Sequence, residues 1–290
     1  MLNFLGKYFT RFYLSKWPMR IAGLCVLGLI AAFFFGPSIY YSEQVENARL
    51  TATIGQISHI KNSFEKFKET YHGIPGDIAG LGDKMPACKD NPLCATVSPT
   101  AGDGIAGRKD FLADLKTPLM TQLPAQTADD ETTLFWTQLQ LADLHDDKLF
   151  KPDWLDLSQL KAADPLGTDL TTPKARIGGR FVAGYADNIT LPPHLSPYAA
   201  PMKGHVILLM SEDVLQGKAT LTDDGEQALS PFRAAQMDRK MDDGKPNKGY
   251  VQAYGSPECF RVVDKATGYV EYNEKKLNSK ECGLVVRIAD

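Results

Sequence analysis

A chain of 290 residues, 43% hydrophobic and 23% charged, is long enough for one or two domains and a sizeable buried core. Its net charge of −3 hides an asymmetry: residues 1–20 carry Lys7, Arg11, Lys16 and Arg20 and no acid, so the remainder sums to −7. A mildly acidic body argues against a nucleic-acid partner, which requires a basic face.

Residues 1–20 form a basic leader. Leu2, Leu5, Phe9 and Phe12 can share a helical face opposite Lys7 and Arg11, with Trp17 suited to an interface; a plain basic leader with a few aromatics fits equally well. Residues 21–41 are uncharged and apolar, and ~20 such residues cross a bilayer as a helix. The run ends in Phe33-Phe34-Phe35 and Gly36-Pro37 with no small-residue cleavage site, so an uncleaved signal anchor is expected rather than a cleaved signal peptide. The basic flank places the N-terminus in the cytoplasm and residues 42–290 in the periplasm of a single-pass inner-membrane protein. From there Leu50, Ile54, Ile57, Ile60 or Lys61, Phe64, Phe67 and Tyr71 recur every three or four residues, the period of a helix laying one face on a core. One continuous helix to about residue 72 would be roughly 78 Å long, about half of it protruding from the body.

Residues 77–110 are rich in Gly, Pro, Asp and Asn and read as loop. Helical patterning returns over 130–149, with a short helix or turn near Trp154 to Leu160. Strands are predicted at 180–185, 205–210, 259–263, 269–272 and 284–288, and a helix over 229–240 with Ser230-Pro231 at its start. The predicted fold class is α+β: a long N-terminal helix, transmembrane in its first half and amphipathic in its second, packed on an antiparallel sheet with inserted helices and loops.

Cys25 sits in the apolar run. Cys88, Cys94, Cys259 and Cys282 are an even set in an exported body and suggest disulfides. Of three connectivities, the local one, Cys88–Cys94 with Cys259–Cys282, is expected; zinc fits less well, with no CxxC spacing and no histidine nearby. Asp242 and Asp243 are candidate calcium ligands before Gly244, and the alternative is a polar turn with Gly244 at positive φ and Pro246 stiffening its exit. Asp223-Asp224-Gly225-Glu226 is too short for an EF-hand. His59, His72, His145, His194 and His205 make no metal-protease spacing, and neither a nucleophile elbow nor a phosphate-binding glycine motif is present. Catalysis therefore has no candidate residues, and apart from calcium no cofactor is expected.

Four patterns in order resemble the type IV pilin and type II secretion pseudopilin superfamily. They are the helix ending Phe64-Glu65-Lys66-Phe67…Tyr71 and followed by Ile74-Pro75-Gly76-Asp77; the turn Gly102-Asp103-Gly104; the helix Glu131…Phe135-Trp136…Leu139…Ala142-Asp143-Leu144; and Met237 to Pro246 with Gly249. The start of the apolar run departs from the family. Ser15-Lys16-Trp17-Pro18-Met19-Arg20 stands where a Gly-Phe-Thr-Leu-Ile-Glu type motif belongs, the peptidase Gly is missing, and Arg20 replaces the Glu. The resemblance implies a membrane-anchored minor pilin or pseudopilin-like subunit, with other such subunits, an inner-membrane assembly platform or secreted cargo as partners. Loss of the motif points instead to a non-polymerising periplasmic binding or accessory protein on the same scaffold.

Overall fold

A computed structural model describes residues 16–78, 80–88, 102–107, 131–144 and 172–290, with side chains in the first helix from residue 43 onward. It divides the chain into Met1–Arg49 and Leu50–Asp290. Helix α1, Lys16–Tyr71, runs through the boundary. In the first unit Arg49 donates to Glu46 at 2.8 Å, an i,i+3 pair on the exposed helix surface.

The transmembrane half of the predicted fold is corrected here. Among the described residues no helix is long and apolar enough to cross a membrane. The part of α1 with described side chains begins at Glu43, and Glu46, Arg49, Lys61, Glu65, Lys66, Lys68 and Glu69 follow. These charges lie in the half of α1 expected outside the bilayer and mark the wet side of an amphipathic helix. With no membrane-crossing helix among the described residues, the single-pass placement is not supported; the architecture is α+β with an antiparallel sheet.

In the second unit the amphipathic reading holds. Leu50, Ile57, Ile60, Phe64 and Phe67 are buried, Ile54 and Tyr71 pack against them, and Lys61 faces solvent. Two polar residues share the buried face because they have partners. The Gln56 side chain donates to the Lys174 carbonyl at 3.0 Å and accepts from the Arg176 amide at 2.9 Å, and Thr53 Oγ1 accepts from the Ile177 amide at 2.9 Å. These bonds satisfy the backbone of a loop laid across the helix.

Beyond α1 come α2 (Leu81–Lys84), α3 (Glu131–Leu141), β1 (Arg180–Ile189), β2 (Met202–Met210), α4 (Glu212–Leu215) and α5 (Pro231–Met241). They are followed by β3 (Val251–Gly255), β4 (Phe260–Asp264), β5 (Tyr269–Tyr272) and β6 (Cys282–Ala289). The main sheet has the order β1-β2-β6-β3, antiparallel throughout. One face, with Phe181, Ala183, Ile207, Leu209, Leu284 and Val286, joins the core shared with Phe64, Phe135 and Met237. The other, with Val182, Val206, Leu208, Met210, Tyr254 and Val285, is covered by Leu191, Leu195, Val214 and Leu215. Burial on both faces explains why 205–210 is an unbroken apolar run rather than an alternating one. β4 and β5 form a separate hairpin, tied to the sheet by a disulfide between Cys259 and Cys282.

Helix α5 starts as its sequence dictates: Ser230 Oγ accepts from the Arg233 amide and Pro231 takes the first turn. Strand β3 and the short α2 and α4 were not predicted. The expected extension of α3 past 144 and the turn near Trp154 lie outside the described residues.

Candidate functional site

Three of the four patterns that carry the resemblance meet at one junction below the end of α1. His72, at φ 55°, ends the helix, and Pro75 and Gly76 then turn the chain so that Asp77 is buried, 3% exposed. Its carboxylate accepts from three successive amides, Gly102 at 2.5 Å, Asp103 at 3.2 Å and Gly104 at 2.8 Å. Burial pushes this carboxyl above the usual range; the Gly102 and Gly104 amides pull it back, and Glu131 and Asp103 add to the rise. Gly76 lies against α3: its amide donates to Gln138 Oε1 at 2.7 Å, and a Cβ there would come within 2.3 Å of the Glu131 carbonyl oxygen. With φ at 90°, only glycine fits both demands.

The turn's other end is held as well. Ala106 N–H donates to His205 Nε2 at 3.3 Å and Gly107 N–H to Glu131 Oε2 at 3.0 Å. Lys68, His72, Lys84, Asp77 and the two turn glycines border a cavity of about 580 Å³. Lys84 Nζ donates to the Tyr71 carbonyl at 3.2 Å, placing a cation at the negative end of α1.

The fourth pattern forms an acidic turn after α5. The predicted Asp242 and Asp243 are joined there by Asp238, one helical turn back, with an oxygen from each within 4.8 Å of the others. Asp238 is fully buried; it accepts from Tyr272 Oη at 2.8 Å and from the Gly244 amide at 3.1 Å. Burial pushes it up to about 7, the Tyr272 and Gly244 bonds opposing and the two neighbouring aspartates reinforcing the shift. Asp242 Oδ2 accepts from the Tyr250 and Val251 amides at 2.6 and 3.0 Å, and Gly249 presses so close that a Cβ would fall 1.9 Å from that oxygen. Asp243 Oδ1 accepts from the Lys245 amide at 2.8 Å, and its Oδ2 lies 3.6 Å from Lys245 Nζ. A calcium ion takes six to eight oxygens. Here the carboxylates are committed to amides, a phenol and an ammonium group, an arrangement that fits a locked turn better than a cation cage. Gly244 has the expected positive φ, 74°.

Of the predicted disulfides, Cys259–Cys282 forms, with Cα atoms 5.3 Å apart. Cys88 is buried and disulfide-bonded, while Cys94 lies outside the described residues. The exposed large apolar side chains among the described residues are Tyr198, Val262, Val263, Tyr269 and Leu277. Three belong to the β4–β5 hairpin, and the Tyr198 ring lies beside the hairpin turn at Gly268.

Sequence reasoning missed Asp238 and His205 as site residues. Asp238 carried a signal, its four-residue spacing from Asp242 across a helix end; the partners of His205 come from three separate stretches, and nothing in the sequence marks it. No protein-family model matches the chain, and neither a curated protein nor a solved structure matches it.

Proposed function

We propose that the protein is a minor pilin or pseudopilin-like structural subunit of a type II secretion or type IV pilus-like assembly. The observation that carries this reading is the junction at Asp77. Three patterns separated by tens of residues and resembling one superfamily are joined there by direct hydrogen bonds, as parts of one scaffold would be. The buried cystine fits a body on the periplasmic side. The exposed apolar side chains of the β4–β5 hairpin, Val262, Val263 and Tyr269, offer contacts to neighbouring subunits, an assembly platform or cargo. The work is mechanical, with no substrate turned over.

A second reading, a non-polymerising accessory or binding protein on the same scaffold, is favoured by Arg20 at the position where assembling relatives carry Glu. Crosslinking the chain in its native cells and identifying what is captured separates the two. Pilin-like subunits crosslinked in stoichiometric amounts support incorporation. Recovery of the chain alone or with a soluble ligand supports the second reading, and substrate-dependent turnover by the purified chain overturns both.

A further inference from the structure

His205 lies at the start of the long run of β2, where every following side chain through Met210 is apolar. It is 3% exposed, between the rings of Phe64 and Tyr185, each 5.0 Å away centroid to centroid. Nε2 accepts the Ala106 amide proton, so the neutral ring carries its own proton on Nδ1. That Nδ1 is buried with no hydrogen-bond partner. A residue kept there with one nitrogen unsatisfied is costly against an apolar replacement, and the other nitrogen holds the Ala106 amide. Ile105 and Ala106 are buried against the core at that point.

We propose that His205 is an acid-sensitive latch: a proton taken from solvent at Nε2 turns the acceptor of the Ala106 amide into a donor and releases residues 105–107. The released segment gives the imidazolium access to water, which the closed state denies it. The groups around the ring act in both directions. Lys68 of α1 is the charged neighbour that acts on it, Tyr185 faces it from β1, and the β6 residue in register with it is Ala289. Glu131 of α3 holds the adjacent Gly107 amide, and Asp77 and Asp103 lie at the turn's far end. Burial first, and then Lys68, push the imidazole down to about 4, so the closed turn resists the proton and an open one accepts it at the ordinary value. Asp77 opposes the effect, since burial makes its carboxyl hold a proton more tightly when the turn is closed. The latch is independent of the function proposed above.

The test is amide exchange on the full-length chain between pH 7 and 4, corrected for intrinsic rates, with His205→Gln alongside. Opening linked to one proton makes the Ala106 and Gly107 amides lose protection by up to about tenfold per pH unit below 6.5. Val206 and Val285 in the sheet should keep theirs, and His205→Gln should show no such slope. Equal loss in turn and sheet, or the same slope in His205→Gln, overturns the proposal. Should His205→Gln fail to fold, the wild-type ring titration followed by NMR decides. Ring protonation tracking the loss at Ala106 supports the latch; ring protonation with Ala106 protection unchanged overturns it.

Discussion

Replacing Asp77 with Ala removes a carboxylate on which three amides converge. Hydrogen bonds to a charged acceptor each contribute about 1.5–3 kcal/mol net, but their simple sum overstates the loss. Residues 102–104 are exposed, so water replaces the acceptor for those amides, and Gly102 keeps the Asp77 carbonyl at 2.7 Å. Removal also relieves the cost of burying the charge, the same cost that raises the Asp77 carboxyl. The expected net loss is about 1–3 kcal/mol, read as a lower urea midpoint with an unchanged slope. The local signature is specific: protection of the Asp103 and Gly104 amides collapses while that of the β2–β6 ladder falls only with global stability. A variant as stable as the parent, with turn amides still protected, would show that the turn is held by something other than Asp77 and remove the physical basis of the junction.

Two further substitutions probe the scaffold by different routes. Changing Cys259 and Cys282 together to Ala opens a loop closed across a separation of 23 residues and should cost roughly 3.4 kcal/mol by chain entropy; urea unfolding reads it, and a loss below about 1 kcal/mol would mean the hairpin is positioned without the cystine. Gly76→Ala forces a Cβ toward the Glu131 carbonyl at a φ of 90° and should destabilise by at least ~2 kcal/mol, whereas Gly225→Ala, also at positive φ but in open space, should cost only the backbone strain of about 1 kcal/mol. Equal melting temperatures for the two would refute the close packing at Gly76.

What could be read in advance follows the range of the interactions. The stripe of α1 from Leu50 to Phe67 is a local period, and Ser230-Pro231 is a local start signal, so both were found. The Ile74–Asp77 pattern was visible as a string, but its meaning lies in amides 25 to 27 residues away. Strand β3 was missed because it is five residues, all buried, with no alternation to show. Asp238 was missed because Tyr272, 34 residues on, makes it a buried acid rather than a helix-surface one. The bilayer expectation rested on the apolar run of residues 21–41 and its basic flank, and it is overturned because no helix among the described residues is long and apolar enough to cross a membrane.

Asp238 and His205 together make a prediction about the whole protein, because their linkages have opposite signs. Asp238 is raised to about 7 from 3.8, so its contribution to stability is fully present below pH 3.8 and lost as pH rises through 7. His205 is lowered to about 4 from 6.5, so its contribution is present above pH 6.5 and lost as pH falls through 4. Between pH 4 and 6.5 each changes stability by about 1.4 kcal/mol per pH unit, in opposite directions. Their sum in the parent is near zero over that interval. Removing either one exposes the other: Asp238→Asn should lose stability steadily as the solution is acidified from 6.5 to 4, and His205→Gln should gain it. Urea titrations at four pH values across the interval suffice, since only the slopes matter and each variant's offset cancels. Parallel curves for parent and variants would mean that neither group is held away from its ordinary value. A slope in His205→Gln alone would place the buried acid as described while leaving His205 open to water, and the latch would fall with it.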